Sequence, residues 1–216
     1  MILLENVDIH GWEAAIRGMR NPMNSWDRSD SKWKDIGHGV PYYEIGENDL
    51  ELMTKLANAG SVHAKYRRMI TATVDITAPL YWWKEFDTYK VSTVANSCST
   101  MHKIAEKVFT LDDFSYEHLI TEKETKWGDI CPVITLECTI AALNFYRRKF
   151  LETKDKKYWW QMIQLLPSSY NQKRTVMLNY EVLANIYRQR KDHKLDEWRD
   201  FCRWIEKLPY SELITV

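Results

Sequence analysis

Glycine and proline are scarce in this 216-residue chain, at seven and six residues. No G-x-G-x-x-G turn, no phosphate-cradling P-loop and no G-x-S-x-G nucleophile turn can be traced in it, so the common nucleotide loops and the hydrolase elbow are excluded. Cysteine is limited to Cys98, Cys131, Cys138 and Cys202. They lack C-x-x-C spacing, the six histidines are scattered, and H-E-x-x-H is missing, so no metal site and no disulfide framework are expected. No apolar run is long enough to span a bilayer. Thirty basic residues balance thirty acidic ones, so neither a nucleic-acid backbone nor an anionic membrane is expected as the main partner. Met1-Ile2-Leu3-Leu4-Glu5-Asn6-Val7-Asp8 turns acidic too early for a secretory leader. The expected setting is reducing and cytoplasmic.

What the chain does have is apolar and aromatic bulk. It is 45% hydrophobic, with ten Trp and twelve Tyr. That is enough for one core, and residues 1–216 are expected to form a single domain. Aromatics at this density suit cores, subunit interfaces or ring-shaped ligands. Residues 1–43 read as an irregular N-terminal region: a short helix over Trp12–Met19, then loop from Arg20 to Gly39, rich in turn formers. Glu47 to Ala59 has helical spacing through Leu50, Met53, Leu56 and Ala57, with Gly60 as its stop. Met69 to Ile76 alternates strictly, with Ile70, Ala72, Val74 and Ile76 facing one way, which predicts a strand with one buried face.

Ala78-Pro79 opens a helix with Trp82, Trp83, Phe86 and Tyr89 at helical spacing. Val91 to Thr100 is short-chained and hydroxyl-rich, a loop or extended segment whose side chains bond backbone or ligand oxygens. Helical spacing resumes over Met101–Phe109. Asp112–Asp129 reads as a surface excursion. Further helices are expected from Pro132 and around Trp198, Phe201, Cys202, Ile205 and Leu208, while Tyr158–Leu166 is aromatic and apolar and Leu166-Pro167-Ser168-Ser169 breaks it. One strand and several helices predict an α+β domain, a small sheet flanked by helices.

Two polar residues break a stripe near the C-terminus. Wound as a helix, Leu178 to Arg190 aligns Val182, Leu183 and Ile186 on one side, while Glu181, Arg188 and Asp192 take the solvated side. Asn179 and Arg190 fall within the apolar stripe, about 20° apart. A guanidinium facing a core needs an anion or acceptor, because an unpaired buried charge costs several kcal/mol. That partner is either a protein carboxylate or the phosphate of a ligand. Asn179 can instead serve as a helix cap.

These pieces occur in an order that resembles the flavin-dependent thymidylate synthase family, over roughly residues 44 to 208. The strand Met69–Ile76, the Ala78-Pro79 turn, the aromatic helix and the Ser/Thr/Asn stretch match its central segment. Leu166-Pro167, then Asn179, Leu183, Asn185 and Arg190, match its C-terminal segment. His63 is similar to the family histidine that precedes the same strand. The resemblance implies a small, mostly antiparallel sheet flanked by helices, a homotetramer, and active sites between subunits. It implies one-carbon transfer to dUMP, with FAD as cofactor and methylenetetrahydrofolate and NADPH as co-substrates. By resemblance, His63, Asn185, Arg190 and Lys90 would contact the flavin, and Asn96, Ser99, Asn179 and Arg190 the nucleotide. No catalytic residue is implied.

The family signature, R-H-R-x-x-S-x-N-x-x-S-x-R-Y, is altered here. Aligned from Ala78-Pro79, Thr88, Tyr89 and Lys90 stand at R-H-R, with Thr93 and Cys98 at the serines. Shifted by one, Tyr89, Lys90 and Val91 stand there, Asn96 and Ser99 match, and Met101 and His102 replace Arg-Tyr. Ile163 stands at the arginine before Leu-Pro. Each lost charge-assisted bond to phosphate removes about 1.5–3 kcal/mol. Lys84, Lys90, Arg67, Arg68 and Lys173-Arg174 are candidate replacements. Besides the flavin enzyme, the chain supports two alternatives: a nucleotide- or phosphate-binding protein without flavin chemistry, and an oligomeric structural protein with Arg190 paired internally.

Overall fold

The computed structural model describes residues 1–35, 37 and 41–216. In chain order its elements are β1 (Leu3–His10), α1 (Trp12–Arg20), β2 (Lys32–Asp35), β3 (Pro41–Glu44), α2 (Glu47–Asn58), β4 (Thr71–Pro79), α3 (Leu80–Phe86), β5 (Thr93–Ser97), α4 (Thr100–Lys103), α5 (Pro132–Thr153), α6 (Lys156–Leu165), β6 (Asn171–Asn179), α7 (Tyr180–Arg190) and α8 (Asp196–Ile205). One sheet takes the order β1-β4-β6-β5, and β2 pairs with β3 separately. The chain is α+β with a small antiparallel sheet, the class its periodicity predicts. Among the described residues no helix is long and apolar enough to cross a membrane.

The chain divides into two compact units. The smaller holds Met1–Leu3, Ile76–Thr88 and Asn96–Arg174. Its core joins Phe109 and Phe114 to Leu136, Ile140 and Leu143 of α5 and to Met162 of α6. Trp82, Trp83 and Phe86 of α3 are fully buried. The helix expected over Met101–Phe109 stops at Lys103. Asn144 takes both backbone groups of Phe109, accepting from its N–H at 2.9 Å and donating to its carbonyl at 2.8 Å. Those groups are then lost to a helix. The expected surface excursion also bends inward: Phe114 is buried and bridges Tyr170. Pro79 ends β4 and caps α3, rather than lying in its first turn.

The larger unit holds Leu4–Asp75, Tyr89–Ala95 and Thr175–Val216. Ala72 and Val74 of β4 are fully buried while Thr71, Thr73 and Asp75 are half-buried, matching the alternation. Four strands were not expected: β1, β2, β3 and β6. β6 hides its period because Gln172, Lys173 and Arg174 precede its apolar half, Val176 and Leu178. β2 lies in the stretch expected as loop and pairs with β3 in the register Lys32↔Glu44 to Asp35↔Pro41. The remainder of that expected loop, at 36 and 38–40, lies outside the described residues. The described residues before 41 are therefore not irregular: they hold β1, α1 and β2.

One buried carboxylate organises this N-terminal part. Asp49, fully buried on α2, accepts from Arg20 Nε at 2.6 Å, Ser29 Oγ at 2.7 Å, Ser31 Oγ at 2.6 Å, and the backbone N–H of Asp30 and Ser31 at 3.2 and 3.1 Å. Asp30 in turn accepts from the N–H groups of Asn48 and Asp49 at the start of α2, where a carboxylate is favoured. Gly46 is required beside it, since a Cβ there would stand 2.2 Å from the Asp30 carboxyl. Burial pushes the Asp49 pKa up, but the hydrogen bonds from Ser31, Ser29 and Arg20 outweigh it and leave the carboxyl below its usual value.

Two outcomes follow in urea titrations. Asp49→Ala strands Arg20 without its counter-charge and should cost about 3–5 kcal/mol. Because the folded pKa is depressed, the stabilisation from Asp49 is complete above the unfolded value near 3.9 and is lost as pH falls through the folded pKa. Wild type should lose stability below about pH 4 more steeply than Asp49→Asn, whose side chain does not titrate.

Candidate functional site

Arg190 closes α7 and is half-buried. Its guanidinium stacks 4.8 Å from the centre of the Trp198 ring and 5.7 Å from that of Tyr89. Its Nε donates to Tyr89 Oη at 2.9 Å, Tyr89 Oη donates to Gln189 Oε1 at 2.9 Å, and Gln189 Nε2 donates to Asn185 Oδ1 at 3.1 Å. The inward-facing arginine thus meets aromatic faces and a phenol. Cation–π contacts of this kind stabilise by about 0.5–2 kcal/mol. Arg190 also lies near Cys202, whose thiol burial pushes up to about 12. Tyr89 occupies an R-H-R position in either register of the signature.

Asn179 is the N-cap of α7, accepting from Val182 N at 3.0 Å, and its amide lies 3.5 Å from the Arg68 carbonyl. Capping is thus an observed role for it. Asn185 is exposed on α7. Glu181 is not solvated as its face predicts. It is 16% exposed and lies 3.6 Å from Arg67 Nη1, itself 4% exposed. That pairing engages Arg67 within the fold. Arg174 is also engaged, stacked 4.1 Å over Trp83 and donating to Asp87 at 2.7 Å and Gln172 at 3.0 Å. Lys84, Arg68 and Lys90 are exposed.

Each unit carries a cavity of ligand size. In the smaller unit, 710 Å³ is bounded by Cys98, Ser99, Lys103, Lys107, Phe109 and Tyr170, among others. Ser99 lines it and caps the short α4, accepting from His102 N at 3.3 Å. Asn96 is exposed on β5 and is not among its lining residues. Lys103 and Lys107 are each paired, with Glu106 and with Asp113. Burial pushes the Tyr170 phenol up despite the lowering effect of Lys107.

In the larger unit a cleft of 1050 Å³ gathers His63 with Arg20, Arg28, Lys55 and Lys65 over an apolar floor that includes Leu52 and Met69. His63 follows the positive-φ turn at Gly60 and is exposed on the cleft wall. Tyr66 lines the same cleft. Its hydroxyl donates to the Met53 carbonyl at 2.8 Å, and burial pushes its pKa up to about 12. Of the expected site residues, Arg190 and Asn185 are brought together through Tyr89, and His63 stands in the cleft. The cleft's cations were missed. Arg20 carried a signal: it lies four residues after Ile16 on the buried face of α1, the same anomaly that marks Arg190.

Neither a model of any known protein family nor any curated protein matches the sequence. Solved structures do. The flavin-dependent thymidylate synthase ThyX from Helicobacter pylori, complexed with FAD and dUMP, matches with a TM-score of 0.67 at 17% identity, over 99% of this chain and 97% of that one. The fold is that of the flavin-dependent thymidylate synthases. The UMP/dUMP methylase PolB from Streptomyces cacaoi, bound with 5-Br dUMP, matches with a TM-score of 0.60 at 13% identity, over 95% of this chain and 88% of that one. Its complex with 5-Br UMP matches equally well, at 16% identity. Within this fold Tyr89, from the stretch after α3, is bonded to Arg190 at the end of α7.

The cap and the exposed asparagine separate by stability. Asn179→Ala should cost about 1 kcal/mol in urea through loss of the α7 cap. Asn185→Ala, at an exposed helix position, should stay within about 0.5 kcal/mol of wild type.

Proposed function

We propose that the protein is a flavin-dependent enzyme that transfers a one-carbon unit to a pyrimidine deoxynucleotide, dUMP being the first candidate, and that it works as a homo-oligomer. The observation that carries this reading is the cleft at His63, a cavity of 1050 Å³ with a basic wall and an apolar floor. It occurs in a fold whose solved examples hold FAD and dUMP, or a brominated UMP or dUMP. Cations beside apolar surface suit a ligand with a flat ring and phosphates. The residues present therefore fit a flavin, although the signature arginines are gone.

When bound, a flavin supplies the hydride chemistry, and the protein needs only to bind, orient and polarise. His63 can present an imidazole N–H or lone pair to the ring edge. Arg20, Arg28, Lys55 and Lys65 lower the cost of holding negative charge in the cleft. Methylenetetrahydrofolate and NADPH are the co-substrates this reading assigns. Ser99 and Asn96, with Lys103 and Lys107 close by in sequence, are the proposed nucleotide contacts, and Asn179, Arg190 and Lys90 remain candidates for nucleotide or flavin.

A second reading has its own support. Arg190 is engaged by Tyr89 and stacked on Trp198. A phosphate anchor occupied in this way suits a nucleotide-binding protein that has given up the flavin reaction.

One experiment separates them. Purified protein is incubated with FAD, NADPH, methylenetetrahydrofolate and dUMP, and the nucleotide is weighed by mass spectrometry. The enzyme reading expects a nucleotide heavier by one methyl group. The binding reading expects unchanged dUMP that still stabilises the fold, by about 2.7 kcal/mol at a hundredfold excess over Kd. Unchanged dUMP with no thermal shift from any nucleotide or flavin would reject both.

A further inference from the structure

Arg20 has a nitrogen to spare. It is 4% exposed, yet it lines the cleft at His63. Its Nε donates to Asp49 at 2.6 Å and its Nη1 to the Ser25 carbonyl at 3.2 Å. Nη2 has no hydrogen-bond partner among the described residues, and it is not one of the polar atoms sealed from solvent. A buried guanidinium gains by filling its donors, and Arg20, as a lining residue of the cleft, can offer this one to an acceptor there.

The rest of the cleft is charged in the same sense. Arg28, Lys55 and Lys65 line it and form no ion pair among the described residues. Glu51 is the one carboxylate among the lining residues. Asp49 matches the charge of Arg20 only. Arg28, Lys55 and Lys65 outnumber the one carboxylate, Glu51, around the concavity, which raises the local potential, and an anion entering relieves it. The apolar floor gives that anion's ring or chain a place to lie.

We propose that Arg20, Arg28, Lys55 and Lys65 form a phosphate-binding subsite, taking the phosphates of a nucleotide cofactor in place of the signature arginines that this chain lacks. The proposal rests on the flavin reading for the identity of the ligand. The existence of an anion subsite stands on the cleft itself.

Titration calorimetry tests it with three probes at two salt concentrations: FAD, riboflavin and inorganic pyrophosphate. The variant combines Arg28→Gln, Lys55→Gln and Lys65→Gln. All three residues are exposed, so folding should be untouched; a melting curve checks this. Arg20 is left in place, since its loss would strand Asp49. Wild type should bind FAD and pyrophosphate, more weakly at high salt. The variant should lose at least ~10-fold in affinity for both and most of the salt dependence, while riboflavin, which has no phosphate, binds both proteins equally. If pyrophosphate binds and the variant loses it, but FAD does not bind, the flavin reading fails and the subsite stands. Equal FAD and pyrophosphate affinity in the two proteins overturns the subsite, as does a parallel loss of riboflavin. Failure of wild type to bind either FAD or pyrophosphate overturns subsite and flavin reading together.

Discussion

The Asp49 carboxylate, fully buried and filled by five donors, is the interaction on which the larger unit's N-terminal part depends. A buried charge is tolerable only when its lone pairs are met, and here Arg20, Ser29, Ser31 and two backbone groups meet them. The consequence is architectural. A polar segment with few apolar residues is held against α2 by one anion, and α1 is tied to the same point through its last residue. The cleft wall is a by-product: to reach Asp49, Arg20 must lie on the inner side of α1, where it faces the cavity that His63 borders.

A second local arrangement bears on the chemistry. Arg190, Tyr89, Gln189 and Asn185 form one hydrogen-bonded series. Tyr89 follows α3 and Arg190 ends α7, so two segments far apart in sequence meet within the larger unit. The arginine bonds the Tyr89 phenol and stacks on the Trp198 ring, contacts that hold a guanidinium against aromatic faces. Kinship of fold is therefore consistent with a changed mode of phosphate binding, and on the proposed reading the burden moves to the cations of the His63 cleft.

Much of the fold was legible in the sequence because its core elements are periodic. β4 alternates through Ala72, Val74 and Ile76, and α2, α5 and α8 keep apolar residues at helical spacing. Elements without a full apolar period escaped that reading. β2 pairs in a stretch of turn formers, β6 begins with Asn-Gln-Lys-Arg, and α4 stops well before Phe109, whose backbone Asn144, thirty-five residues away, claims. The site was half legible for the same reason. An arginine on an apolar face is visible when the stripe is long, as around Arg190. In the nine-residue α1 the same signal from Arg20 is short, and nothing local reveals that Arg28, Lys55 and Lys65 converge from three segments.

The central claim is that ligand charge is held in the cleft of the larger unit. Amide hydrogen exchange, followed by mass spectrometry with and without FAD, reads this directly. The account predicts slowed exchange on FAD binding in peptides spanning residues 18–28, 48–56 and 62–69, with little change at 98–107 and 170–173. Protection confined to 98–107 and 170–173, around the cavity of the smaller unit, with the His63 cleft unaffected, would contradict it.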